Sequence, residues 1–274
     1  MDRIRIGISS CLLGEEVRFD GGHKRDRFLT DTFGRFVEWV AVCPEVEAGF
    51  GTPREAMRLV GAGGRLRLLT VKTGVDLTDR MARYAHERVE RLARERLSGY
   101  VLKKDSPSCG LERVKDNFVE RVFAFRRLQE LFAGRWTVGG LVRFHTAHKL
   151  TLMAHAPRAY PELGRLVARA KRLARPEVER RYTERFMRVL ETMATPRRHV
   201  NVLQHITGYF KTLLDDDGRA ELRATIEEYG AGLVPLIVPI TLIRHHVRHH
   251  GVAYLAGQVY LEPHPRELML RNHV

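Results

Sequence analysis

Arg3-Ile4-Arg5-Ile6-Gly7-Ile8-Ser9-Ser10-Cys11 opens the chain with a short β-branched run that stops at two serines and a thiol. Such a run reads as a buried strand ending in a turn. The same arrangement recurs twice. Val37 to Val42 run into Cys43-Pro44-Glu45, and Tyr100-Val101-Leu102 precede Ser106-Pro107-Ser108-Cys109-Gly110. These are the only 3 cysteines among 274 residues.

Between these segments the pattern alternates. A helix is expected to end within Asp31–Trp39, ahead of the second strand. Thr52-Pro53-Arg54-Glu55 carries three helix-start signals: a capping threonine, a proline at the first helical position and a glutamate closing a capping box. Leu66 to Val71 read as another strand. Thr78 to Leu97 form a helix with Met81, Tyr84, Ala85, Val89, Leu92 and Ala93 on one face, ended by Gly99. Strands separated by helices predict an α/β domain built on a parallel sheet flanked by helices. From Asn117 onward the periodicity is helical, over Phe118–Phe132, Val142–His155, Glu162–Leu173, Glu177–Met193, Val200–Leu214, Ala220–Tyr229 and Pro235–His250, with Asp215-Asp216-Asp217-Gly218 read as a loop. The expected division is an α/β domain over residues 1–116 and an all-α domain over residues 117–274.

Charge is unevenly shared. Residues 1–116 hold 22 Lys/Arg against 18 Asp/Glu, whereas residues 117–274 hold 25 against 15, together with 11 of the 13 histidines. An excess of this kind attracts polyanions through counterion release, although a solvated arginine-rich surface accounts for it equally well. The chain opens as Met1-Asp2-Arg3-Ile4-Arg5 without an apolar leader, and no uncharged run reaches the roughly 20 residues of a membrane helix. A cytoplasmic location is expected. An odd number of cysteines argues against a disulfide framework and leaves metal, catalysis or inert burial.

In an open α/β sheet, ligands bind outside the carboxyl ends of the strands. Three thiols delivered to that edge read as one constellation. Three thiolates without a fourth suggest an iron–sulfur cluster with one open iron, thiolate being the soft ligand that iron–sulfur clusters and zinc prefer. Spacing does not settle it. The 31 and 65 residues between successive cysteines match neither a zinc ribbon nor a ferredoxin run, so buried structural cysteines and a zinc site stay open. A carboxylate beside such a cluster can activate water and a hydroxyl can relay a proton, which draws attention to Glu45 and Ser106.

Ser9-Ser10-Cys11-Leu12-Leu13-Gly14, Arg18-Phe19-Asp20-Gly21-Gly22-His23-Lys24, Cys43-Pro44-Glu45-Val46-Glu47-Ala48-Gly49 and Ser106-Pro107-Ser108-Cys109-Gly110, in that order, resemble the thiouracil desulfidase family. The resemblance implies a 4Fe–4S cluster held by Cys11, Cys43 and Cys109, whose fourth iron takes sulfur from a thiocarbonyl. It makes Glu45 and Ser106 the acid/base pair of a non-redox hydrolysis in which water replaces sulfur. Ser10, Asp20, His23 and Ser108 become substrate-binding candidates, with Lys24 close enough to line the pocket.

Asn117-Phe118-Val119-Glu120-Arg121-Val122-Phe123-Ala124, Thr195-Pro196-Arg197-Arg198-His199-Val200-Asn201-Val202-Leu203-Gln204-His205 and Tyr260-Leu261-Glu262-Pro263-His264-Pro265 resemble the YbgA-type domain that follows this desulfidase in some proteins. Chains with both parts are similar to desulfidases that convert 4-thiouridine in tRNA to uridine. Arg197, Arg198, Lys211, Arg244 and Arg248 are then candidate RNA contacts, with Tyr209 and Phe210 available for base stacking. The chain departs from the desulfidase pattern at one place. Gly110-Leu111-Glu112-Arg113-Val114-Lys115 runs almost directly into Asp116-Asn117-Phe118, so the first domain is expected to be short at its C-terminal end.

Other readings remain: desulfuration of free thiouracil, a nucleic-acid-binding protein without catalysis, and zinc on the same thiolates. His245/His249 and His246/His250 stand one helical turn apart, a spacing that can hold zinc but also suits a basic helix end. His145 and His148 are either ordinary helix residues or groups able to reach a phosphate or a thiolated base.

Overall fold

In the computed structural model, residues 3–62, 65–103, 106, 116–268 and 271 are described. The chain divides into two compact units, Met1–Val114 and Lys115–Val274. No helix among the described residues is long and apolar enough to cross a membrane.

The first unit is organised around β1 (Ile4–Ser9), which pairs in parallel with β2 (Val37–Val42) on one side and β5 (Tyr100–Val101) on the other. Ile6 and Ile8 are fully buried, as a central strand requires. The register runs from Ile4↔Val37 to Ser9↔Val42 and includes Gly7↔Tyr100 and Ile8↔Val101. All three strands therefore leave the sheet at one edge. Gly7 is needed for close approach. A Cβ built there would lie 2.2 Å from the Tyr100 ring. Gly7→Ala is expected to destabilise the first unit by about 1–3 kcal/mol through overpacking. A urea midpoint equal to that of the unsubstituted chain would contradict this.

The expected parallel sheet is present, but it does not include the strand read at Leu66–Val71. That segment, β4 (Arg65–Thr70), pairs antiparallel with β3 (Met57–Ala62) in a separate two-stranded sheet. No helix starts at Thr52. Residues 51–56 carry no helix, because their capping groups have other partners. The Arg54 amide donates to the Phe19 carbonyl at 2.9 Å. The Glu55 carboxylate accepts from the Lys72 amide, and from the Thr73 amide and hydroxyl at 2.8 and 2.7 Å. The helix expected to end within Asp31–Trp39 is reduced to short π and 3-10 turns over Phe28–Arg35. A single turn, α1 (Pro44–Glu47), follows β2, and α2 (Thr78–Arg94) falls where its periodicity predicts it.

The second unit is helical: α3 (Asp116–Phe132), α4 (Val138–Ala147), α5 (Lys149–His155), α6 (Ala159–Arg169), α7 (Arg175–Glu191), α8 (Pro196–Thr207), α9 (Asp216–Gly230), α10 (Ile237–His249) and α11 (Ala253–Ala256). Two apolar cores meet on α5. Leu150 and Ala154 pack with Leu203, Ile206, Ile226, Ile240 and Tyr260, whereas Leu152 packs with Leu128, Leu163, Tyr182 and Phe186. The single helix expected over Val142–His155 is broken at His148, whose Nδ1 donates to the Phe144 carbonyl at 2.8 Å where the chain turns. The loop expected at Asp215–Gly218 is instead a helix start. Asp215 caps α9 by accepting from the Gly218 amide at 2.8 Å, and the next two aspartates favour the positive end of the helix dipole.

His145, His148 and His199 are held neutral inside this unit. Burial pushes each down to about 4. Their unfolded value is near 6.5, so between pH 6.5 and 4 the unfolded chain binds protons that the native chain refuses. Stability from these groups is complete above 6.5 and is lost as pH falls through that window. Burial would raise Glu120, but the His155 hydrogen bond and the charges of Arg271 and His155 outweigh it and hold it at about 2, extending the loss below pH 4.5. The urea midpoint followed by far-UV circular dichroism is expected to fall steadily from pH 7 to pH 4.5. A flat profile would show that these histidines do not stay neutral in the fold.

Candidate active site

The in-register pairing of Ser9 with Val42 decides the site, because Ser10-Cys11 and Cys43 leave adjacent strands at the same edge. After β5, the Lys103 amide donates to the Ser9 hydroxyl at 3.0 Å, fastening the third segment beside the first. A cavity of 380 Å³ opens there, lined among others by Ser10, Cys11, Cys43, Glu45, Arg54 and Ser106. That volume falls within the roughly 300–1,000 Å³ of small-molecule sites.

Cys11 and Cys43 are both buried. The Cys43 amide donates to Glu47 Oε1 at 3.0 Å, fixing the turn that carries the thiol, and Glu47 is itself held by the Tyr84 hydroxyl at 3.0 Å. The Cys43 thiol is pushed up to about 11, first by burial and then by the Glu45 carboxylate. Pro44 starts α1 and places Glu45 in its first turn, 7% exposed. Three groups surround this carboxylate. The Cys43 thiol lies 3.5 Å from Oε2, the Ser106 hydroxyl donates to Oε1 at 3.4 Å, and Arg54 Nη2 stands 3.8 Å from Oε2.

Arg54 is a residue that the sequence reading missed. Its local context imitates a helix start and does not mark it as a cavity residue. Instead its Nη1 donates to the carbonyls of Val17 and Gly51, each at 2.9 Å, and its Nε is buried with no hydrogen-bond partner among the described residues. A guanidinium fixed by two carbonyls presents a rigid cation to Glu45 and to the cavity. Lys24 and Lys103 also line the cavity.

Of the substrate-binding candidates, Ser10 lines the cavity, and Ser108 lies outside the described residues, as does Cys109. Asp20 and His23 do not line it. Asp20 binds the Arg18 guanidinium at 3.2 and 3.1 Å and the Gly22 amide at 3.1 Å, while His23 Nδ1 accepts from the Arg25 amide at 3.2 Å. Both stabilise the loop that carries Arg18, Phe19 and Lys24 to the rim. Among the described residues no three metal-ligating side chains converge, and the third cysteine is outside them. The donors that are described fit a soft metal centre: two thiols deliver sulfur to one cavity.

The RNA-contact candidates divide. Arg198 is structural, donating from Nη1 to the carbonyls of His155 at 2.7 Å and Met193 at 3.2 Å. Arg244 is mostly buried against Glu262. Arg197, Lys211 and Arg248 are exposed. Phe210 is fully buried in the core and cannot receive a base, and Tyr209 stacks on Tyr254 at 5.3 Å. His145 and His148 are buried too, bound to the Tyr182 hydroxyl and the Phe144 carbonyl, so neither reaches a phosphate. The paired histidines at the end of α10 stack as His245/His249 and His246/His250, the last being the residue that follows the helix, 5.9 and 6.0 Å apart.

Comparison with known proteins matches both halves. Residues 6–135 match the family model described as 2-thiouracil desulfurase, and residues 149–265 match a protein family of unknown function, DUF1722. The uncharacterized protein YbgA of Escherichia coli (strain K12) is 35% identical over 163 residues, 59% of this chain and 96% of its own. The uncharacterized protein YbbK of Bacillus subtilis (strain 168) is 34% identical over 113 residues, covering 38% of this chain and 72% of its own. Among solved structures, the [4Fe-4S]-dependent thiouracil desulfidase TudS shares 32% identity over 42% of this chain and 73% of its own, with a TM-score of 0.35.

Proposed function

The chain belongs to the 2-thiouracil desulfurase family through its N-terminal part and to the DUF1722 family through its C-terminal part, and on that premise we propose that it removes sulfur from a thiolated uracil, with 4-thiouridine in tRNA as the substrate. One observation carries the proposal: two cysteines, a buried carboxylate and a hydroxyl meet at one cavity on the carboxyl edge of a parallel sheet. Cys11, Cys43 and Cys109 are the residues that would hold a 4Fe–4S cluster. When bound, that group supplies an open iron able to accept the departing sulfur.

Glu45 is positioned as the general base. It takes a proton from a water whose oxygen attacks the thiocarbonyl carbon, a C–O bond forms, the C–S bond breaks, and the sulfur departs as hydrosulfide. Water in and sulfide out balance without an oxidant. Ser106, hydrogen-bonded to Glu45, carries a proton between that carboxylate and the substrate. Arg54, with Nη2 3.8 Å from Oε2, keeps the carboxylate oriented. Ser10 and Lys103 contribute polar lining. A base embedded in folded RNA must be reached or extruded before this chemistry, as nucleobase enzymes require. The excess positive charge of residues 117–274 supports a backbone-binding role for that half.

The test is iron and acid-labile sulfide in anaerobically purified, reconstituted protein, followed by turnover of thiolated tRNA and free 2-thiouracil in parallel. About four of each per chain are expected, with faster and more salt-sensitive turnover of the tRNA. Folded protein with neither iron nor sulfide would overturn the desulfidase reading. Equal rates on the free base would make thiouracil itself the substrate.

A further inference from the structure

The second unit also carries a cationic feature on residues not named so far as a site. Residues 158–188 contain 10 Lys/Arg, nine of them arginine, against 4 Glu. Five of these arginines line one groove of 730 Å³ between α6 and α7: Arg165 and Arg169 on one wall, Arg181, Arg185 and Arg188 on the other. A single carboxylate, Glu162, shares it.

Helix geometry explains the alignment. Residues 165 and 169 are i and i+4, and residues 181, 185 and 188 are i, i+4 and i+7, so each set forms one stripe. At 1.5 Å per residue the stripes run roughly 6 and 10 Å along their helices. Leu163 and Leu166 form part of the groove's floor, and together with Tyr182 and Phe186 they tie both helices to the core, so the arginines stand on a rigid support.

Little compensates this charge. Arg181 meets Glu177 and Arg188 meets Glu184, each at 2.8 Å, in exposed pairs one turn apart that a stronger anion displaces readily. Arg165, Arg169 and Arg185 have no acidic partner among the described residues, and all three are exposed. Uncompensated cations along a concave wall focus the field into the concavity. The guanidinium fork binds phosphate oxygens in pairs. Cations repeated along two facing walls suit an anion that is also a repeating chain.

We propose that the arginine-lined groove between α6 and α7 grips the sugar–phosphate backbone of the RNA substrate. The choice of RNA as the polyanion rests on the function proposed above, whereas the groove rests on its own geometry. Grip here is independent of base sequence, because guanidinium–phosphate contacts position a strand without reading it. Arg165, Arg169 and Arg185 are the principal contacts. Arg181 and Arg188 join by exchanging a glutamate for a phosphate.

The experiment uses the full chain and a fluorescently labelled unmodified tRNA transcript, with anisotropy recorded over a series of NaCl concentrations. Three proteins are compared: unsubstituted, Arg165→Gln/Arg169→Gln/Arg185→Gln, and Arg197→Gln/Lys211→Gln/Arg248→Gln. Loss of three phosphate contacts is expected to weaken binding by about 10-fold or more and to reduce the salt slope by roughly 2–3. The second triple variant removes the same number of cations outside the groove and should bind more tightly than the groove variant, with a smaller loss of salt slope. Turnover of free 2-thiouracil should be equal in all three, which controls for folding. The triple Arg→Lys variant of the groove should recover most of the affinity. Unchanged tRNA affinity in the groove variant overturns the proposal, as does equal binding of polyglutamate, which would make the groove a site for acidic protein. Groove-dependent tRNA binding without turnover of 4-thiouridine would remove the proposed substrate and leave the groove standing. Turnover of thiolated tRNA indifferent to the groove variant would do the reverse.

Discussion

Glu45→Gln is expected to retain its iron and lose turnover by about 10²- to 10⁴-fold, the usual contribution of a positioned general base. The substitution keeps the size of the side chain. It also keeps an acceptor for the Ser106 hydroxyl, which lies 3.4 Å from Oε1. What disappears is the ability to take a proton from water, together with the charge facing Arg54 Nη2 at 3.8 Å. The fold should hold, since α1 depends on Pro44 and on the Glu47–Cys43 amide bond rather than on Glu45. Single-turnover rates on thiolated substrate, with iron measured on the same sample, separate chemistry from cluster assembly. Full activity with full iron would remove Glu45 from the mechanism. Ser106→Ala should cost less, because water can replace a relaying hydroxyl.

Cys11→Ala is expected to abolish both iron binding and turnover while leaving a folded protein. Cys11 lies in the 3-10 turn after β1 and is 8% exposed, so removing its sulfur leaves only a small void, costing about 1 kcal/mol. Among the described residues, Cys43 is the other thiol that lines the cavity, so removing Cys11 takes away one of the soft ligands that would hold the cluster. The visible absorption of the reconstituted protein and its iron content report the loss directly, and circular dichroism reports the fold. Retention of full iron in Cys11→Ala would exclude this residue as a ligand. The same experiment on Cys109→Ala addresses the third cysteine, which lies outside the described residues.

The elements that were legible are those whose pattern is local. β1 shows in Ile4, Ile6 and Ile8, and α3 and α7 show in apolar spacing, because each buries one face whose residues are close in sequence. The spacing of α2 is legible too, although Ala85, Val89 and Ala93 of its expected apolar face are exposed. The misread elements share a different cause. Thr52-Pro53-Arg54-Glu55 has every local sign of a helix start, yet Phe19 takes the Arg54 amide and the segment at Lys72–Thr73 takes the Glu55 carboxylate. Distant partners overrode local propensity there, and as a result Arg54 lines the cavity. Asp20 and His23 were misplaced for a similar reason. Proximity to Cys11 in sequence suggested the pocket, whereas Arg18 and the Gly22 and Arg25 amides draw their side chains into the loop. The RNA-contact set failed at Arg198 and Arg244 because a cation's sequence neighbours do not reveal whether carbonyls or a carboxylate already hold it.

The sequence by itself determined which chemistry the chain can offer: three thiols placed after strands, a glutamate two residues beyond one of them, a serine before another, and a second half rich in cations. Residue identity sets the ligand softness, the acid–base character and the net charge, and none of these depends on folding. Only the tertiary structure decided which of those groups meet. The parallel register of Ser9 with Val42 brings Cys11 beside Cys43, the packing of the 51–56 segment adds Arg54, and the packing of α6 against α7 gathers five arginines into one groove. Convergence is a property of pairs distant in sequence, fixed by burial and hydrogen bonding across the fold, and no local pattern encodes it.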